Sequence, residues 1–287
     1  MKYIVASFVI ALTLTGCGDS DKFLEEDISK NKDNTKQELK EESIESPVQE
    51  VEQPEQEKEK ISQKQYIPDQ ILPSKDRSFS SIKKLIEASG NGIIGNVTYI
   101  CVGDSTRANS HYGGVYVFTD IRDRLDDYNV VSYLHARAGH KAEEFNRDYG
   151  ASPTWKDVVS DISDDGKNTI VDISLGINDS WGGDGSFKYY LKSAINKIKN
   201  YKPNTHFILT MPDRVYGNSI MTNEIKQQYQ ELSYELHLPL VNIVEDVMPS
   251  QDSTSYNWYR HDGFNVHLSR EGQRRVANDI LSHILPD

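Results

Sequence analysis

Five short runs limit what this chain can fold into. Residues 97–102, 130–135, 170–175, 206–210 and 240–244 are apolar and rich in β-branched side chains, the composition of buried strands. Between and after them the apolar period lengthens from two to about 3.6 residues, the period of a helix. Phe187, Leu191, Ala194, Ile195 and Ile198 share one helical face, and Val276, Ile280, Leu281 and Ile284 share another. Strands that alternate with helices in this way predict an α/β fold with a mostly parallel five-stranded sheet. In such sheets ligands bind outside the carboxyl ends of the strands, so the chemistry is expected in the loops that follow these five runs.

Charge separates this foldable part from the rest. Residues 18–76 hold 17 Asp/Glu against 9 Lys/Arg, with Phe23 and Tyr66 as their only aromatics. Such a stretch cannot bury enough apolar surface to offset its chain entropy, so it is expected to stay unfolded. Residues 77–287 carry 27 acidic and 22 basic residues and 23 of the 27 aromatics, which suits one globular domain. With a net charge of −12 the chain has no basic surplus to neutralise a phosphate backbone, and nucleic acid is excluded as an expected partner.

Ahead of the acidic stretch, Lys2 precedes the apolar run 3–14, the pattern of an export signal that is too short to span a bilayer as a mature helix. The run ends in Leu14-Thr15-Gly16-Cys17, which resembles the lipobox of bacterial lipoproteins. That resemblance implies a signal peptide over 1–16, a lipidated Cys17 as membrane anchor, and a disordered acidic tether over 17–76. Localisation in the cell envelope, facing the periplasm or exterior, follows from it. A flexible coil of this length would span roughly 45 Å, and its like charges would extend it further. With Cys17 acylated, Cys101 has no intrachain partner and is expected to be a core residue on the first strand.

Four loops carry the functional signal. They read Gly103-Asp104-Ser105-Thr106 after the first run, Arg137-Ala138-Gly139-His140 after the second and Gly176-Ile177-Asn178-Asp179 after the third. The last is Asp262-Gly263-Phe264-Asn265-Val266-His267-Leu268, after the fifth. In this order they resemble the SGNH (GDSL) hydrolases, from about Asn96 to the C-terminus. The resemblance implies a flavodoxin-like three-layer α/β/α sandwich, a catalytic domain over 77–287, and ester hydrolysis without cofactor or metal.

The chemistry suits these residue types. A serine hydroxyl is a weak nucleophile until a base takes its proton, and imidazole titrates in the right range. By resemblance Ser105 is the nucleophile and His267 the base. The oxyanion donors are then the backbone N–H groups of Ser105 and Gly139 and the side-chain amide of Asn178. His261 is the competing base, and a metal site from His261, Asp262 and His267 has no supporting ligand spacing. The family places an aspartate three residues before its histidine, yet that position here is Phe264. If Phe264-Asn265 loops out, Asp262 can still reach Nδ1 of His267 and complete the triad. Otherwise a backbone carbonyl or the Asn265 amide oxygen takes that place.

Other residues divide by position. Asp104 is expected to bond loop backbone, His135 to be structural, and His206, His237 and His283 to be solvated. His111 and His140 are candidates for the pocket lining. Trp181, Trp258, Tyr259 and Tyr112 flank the loops and could stack on sugars or grip an acyl chain. No long apolar lid segment is present, so the expected substrate is a small acyl ester, acetyl first, on a carbohydrate. Two other readings share these residues: a non-catalytic carbohydrate-binding lipoprotein, and an O-acyltransferase using the same triad.

Overall fold

The computed structural model describes residues 76–108, 115–180, 186–213, 219–247 and 267–287. All of them belong to one unit of the chain, Lys60–Asp287. Cys17 and its tether, His111, Tyr112, Trp181, Trp258, Tyr259, His261, Asp262, Phe264 and Asn265 lie outside the described residues.

Five parallel strands form the sheet. They are β1 (Val97–Gly103), β2 (Val130–Ala136), β3 (Thr169–Ser174), β4 (His206–Thr210) and β5 (Leu240–Val241), in the order β2-β1-β3-β4-β5. That is the flavodoxin-like order, and every pairing is parallel. β1 pairs along its whole length with β2, and its last residue, Gly103, lies opposite Ala136 on one side and Ser174 on the other. Three loops therefore leave the sheet at one level.

Strand side chains alternate between two cores. Ile100, Val102, Val171, Ile173, Phe207 and Leu209 meet helices α3 (Ala142–Phe145), α4 (Trp155–Asp161), α6 (Phe187–Tyr201) and α7 (Ser219–Leu236). Val97, Tyr99, Cys101, Ile170, Ile208 and Val241 face α1 (Ser80–Gly90), α2 (Val115–Leu125) and the last helix, α9 (Arg270–Ile284). Each large aliphatic side chain so buried contributes about 1.5–3 kcal/mol relative to exposure. In α6 the five residues of the predicted face are all buried, and the helix stops just before Pro203, which cannot continue it. In α9 the Ser269 hydroxyl accepts from the Gly272 N–H at 3.3 Å and caps the helix start.

The fifth strand is shorter than its apolar run. Asn242 accepts the Glu245 N–H through its side chain and starts a one-turn helix, α8 (Ile243–Asp246), so Ile243 and Val244 are buried as helix residues. Cys101 is a core residue on β1, and His135 bonds Asp161 at 2.6 Å. His237 is exposed, as expected. His206 and His283 are not simply solvated. His206 opens the interior strand β4 and is only 1% exposed, and the His283 ring stacks on Phe79 with centroids 4.9 Å apart.

One polar cluster crosses the sheet. Asp172, in the middle of β3, accepts from the Tyr99 hydroxyl on β1 at 2.6 Å and from the Thr210 hydroxyl on β4 at 2.5 Å. Burial pushes its carboxyl up from the usual range, so both donors matter. Tyr99→Phe keeps the ring and removes one donor. It should destabilise the protein by about 1–3 kcal/mol in urea unfolding, and a change of a few tenths would mean that the bond contributes little.

Candidate active site

Ser105 and His267 meet at the carboxyl end of β1. The His267 Nε2 lies 3.0 Å from the Ser105 Oγ, and both residues are at least nine-tenths buried. Ser105 owes its position to a tight turn. The Asp104 side chain accepts the Thr106 N–H at 2.9 Å, and the Asp104 carbonyl accepts from the N–H groups of Arg107 and Ala108. Asp104 thus bonds loop backbone, as its residue type suggests.

His267 is set by the start of α9, three residues beyond it. Gln273, in the first turns of that helix, donates to the Leu268 carbonyl at 2.8 Å and accepts from the Tyr116 N–H of α2 at 3.2 Å. One buried amide side chain thereby holds the histidine segment against α2.

The loops after β2 and β3 are bonded to the first. The Gly103 carbonyl accepts the Arg137 N–H at 3.3 Å and lies 3.0 Å from His140 Nδ1. His140 is fully buried, and burial lowers its pKa, so the neutral ring serves as a strut and not as pocket lining. Gly139, just before it, has φ +76 with open space where a Cβ would stand. The left-handed backbone, not crowding, calls for glycine there.

The third loop runs into α5 (Ile177–Ser180), where the Asn178 Nδ2 donates to the His140 carbonyl at 3.2 Å. Its neighbour Asp179, 8% exposed, takes the Ala142 N–H on both carboxylate oxygens at 3.1 and 3.2 Å. Ser105, Gly139 and Asn178 therefore stand on three loops, the second of which is bonded to both the first and the third. Such an arrangement can present a hydroxyl, an imidazole and N–H donors to one reacting group. Asp262, the remaining site residue read from the sequence, lies outside the described residues.

Two buried charges escape sequence reasoning. Arg107, two residues after Ser105, is fully buried, and its Nη1 lies 3.7 Å from Asp213 in the loop after β4. Arginine is almost never fully buried without a partner, and nothing in the spacing of residues 107 and 213 shows that they meet. Among the described residues, the grouping with metal-ligand character is Asp246, Asp279 and His283, which belongs to α8 and the far end of α9.

Residues 101–275 match the family model of the GDSL-like Lipase/Acylhydrolase family. No curated protein matches the sequence. Similar folds occur among solved structures. A GDSL-like lipase candidate from Parabacteroides merdae is 17% identical with a TM-score of 0.50, covering 66% of this chain and 96% of that one. The protein YxiM of Bacillus subtilis is 18% identical with a TM-score of 0.52, over 66% of this chain and 56% of its own. An acetylxylan esterase from Geobacillus stearothermophilus is 20% identical with a TM-score of 0.50, over 67% and 95%.

Asp179 gives the site a pH signature. Burial raises its carboxyl from 3.8 to about 6, so the folded protein holds a proton that the unfolded chain has released between those values. The stability linked to this proton is full below pH 3.8 and is lost as pH rises through 6. It amounts to at most about 3 kcal/mol. Asp179→Asn should flatten the change in unfolding free energy between pH 4 and 7 relative to the parent, and identical slopes would contradict this.

Proposed function

The chain belongs to the GDSL-like lipase/acylhydrolase family, and on that premise we propose that this ester hydrolase removes small acyl groups, acetyl first, from carbohydrate through a covalent serine intermediate. The observation that carries the reading is the 3.0 Å approach of His267 Nε2 to Ser105 Oγ. At that distance the imidazole can take the hydroxyl proton as Oγ attacks the acyl carbon.

The attack converts the ester carbonyl to an oxyanion. Its donors are the backbone N–H groups of Ser105 and Gly139 and the second N–H of the Asn178 amide, whose first is engaged by the His140 carbonyl. His267 then hands its proton to the departing sugar oxygen, leaving acyl-Ser105. Water, deprotonated by the same imidazole, releases the acid and restores the hydroxyl. Asp262 holds the Nδ1–H of His267 in this scheme, an assignment made from its place in the loop sequence. The acetyl-carbohydrate choice is supported by the absence of a long apolar lid segment in the sequence and by the fold shared with an acetylxylan esterase.

The reading also sets the enzyme at a membrane surface. Cys17 is the lipidated first residue of the mature chain, and the acidic stretch behind it lets the domain work away from the bilayer.

Two experiments test these statements. Purified domain should release acetate faster than longer acids from acylated glycans and aryl esters, and Ser105→Ala should abolish both turnover and fluorophosphonate labelling. Preference for long acids would overturn the substrate class, and labelling that persists on another serine would overturn the nucleophile. Separately, Cys17→Ala should move the protein from the detergent to the aqueous phase on phase separation, and unchanged partitioning would remove the anchor.

A further inference from the structure

Three potential metal ligands converge near the end of α9, on side chains that the esterase reaction does not use. His283 Nε2 lies 3.9 Å from Asp246 Oδ2 and 4.0 Å from Asp279 Oδ1, and one ligand atom from each residue lies within 4.8 Å of the other two. Asp279 and His283 are four residues apart in α9, which sets them side by side on one helical face. Asp246 meets them from α8, the one-turn helix that follows β5.

The spacing separates this group from an ordinary ion pair. His135 and Asp161 close to 2.6 Å and form a hydrogen bond, whereas 3.9 and 4.0 Å are beyond that reach. Such distances are near those between two ligands of one metal ion. Bonds of about 2.1 Å at a tetrahedral zinc put neighbouring ligand atoms ~3.4 Å apart, so a closure of about 0.6 Å would complete the set. The Asp246 side chain, 43% exposed, is free enough to make it.

Two further observations point to a cation. Asp279 is only 16% exposed, and its Oδ2 is buried without a hydrogen-bond partner among the described residues. A carboxylate oxygen withdrawn from water and left unbonded is costly, and a bound ion removes that penalty. The imidazole is also held ready. The His283 ring stacks on Phe79, with centroids 4.9 Å and planes 28° apart, which fixes the ring plane while Nε2 stays beside both carboxylates.

We propose that Asp246, Asp279 and His283 bind one zinc ion as a structural site that ties α8 to α9. One imidazole and two carboxylates suit zinc better than magnesium or calcium, which prefer oxygen ligands alone. Three protein ligands leave the fourth position to water. The site stands roughly 20 Å along α9 from the end that follows His267, so its effect is on stability. It joins the last helix to the segment after β5, the edge strand that only two residues hold to the sheet.

Calorimetric titration of the metal-free full chain with zinc chloride should show one ion bound per chain, and the His283 ring signals should shift in proton–nitrogen NMR. At a hundredfold excess of zinc over the measured Kd, Tm should rise by about 5–10 °C. Asp246→Asn, a change of the same shape at an exposed position, should weaken binding at least ~10-fold without altering the zinc-free Tm, and His283→Asn should abolish it. A protonated His283 held between two aspartates needs no metal. That arrangement predicts no heat of binding and no His283 shift even at millimolar zinc, and this result would overturn the proposal. So would zinc binding of equal strength in Asp246→Asn and His283→Asn, which would put the ion elsewhere on the chain.

Discussion

Everything near the candidate site hangs on the pairing of β1 between β2 and β3. Parallel ladders on both sides bring the three strand ends to one level, with Gly103 opposite Ala136 and Ser174. The Gly103 carbonyl then takes the Arg137 N–H, with the His140 ring beside it, and the His140 carbonyl takes the Asn178 amide. A shift of one residue in either ladder would turn every β1 side chain to the other core and break this chain of bonds. The arrangement of the serine, the glycine and the asparagine is thus a consequence of strand register more than of the loops themselves.

Much of this was legible in the sequence, for a physical reason. β1, β3 and β4 lie inside the apolar cores and β2 forms the sheet edge beside them; the β-branched composition of all four marked them to within a residue at each end, and α6 buries the five residues of its predicted face. The fifth run misled because Ile243 and Val244 are apolar for the sake of a one-turn helix, and composition over so few residues does not tell strand from helix. His206 looked solvated at the end of its strand, but β4 is an interior strand and its first residue is covered. The strand pattern placed Ser105, Gly139 and Asn178 in the loops after the first three strands, where they stand; their roles came from the family resemblance and not from that pattern.

The buried charges were not readable. Arg107 and Asp213 are residues that ordinarily lie in water, more than a hundred positions apart, and only the sheet order β1-β3-β4 brings them within 3.7 Å of each other. The same holds for Asp172, whose partners come from β1 and β4. Asp104, Asp172, Asp179 and Asp213 all have carboxyl groups pushed upward by burial. Structural networks also perturb carboxylates, and the two kinds differ here in their partners. Asp172 is tied off by two hydroxyls within the sheet, whereas Asp213 faces the Arg107 guanidinium at 3.7 Å.

The central claim is that Ser105, activated by His267, carries the acyl group during turnover. The most direct test is to quench the enzyme in acid within its first turnovers on an aryl acetate and map the adduct by peptide mass spectrometry. An acyl-serine intermediate predicts a gain of about 42 Da confined to the peptide containing Ser105, absent in Ser105→Ala and not accumulating in His267→Asn. Continued turnover of Ser105→Ala, or an acetyl group found on a different side chain at the same early times, would contradict the account.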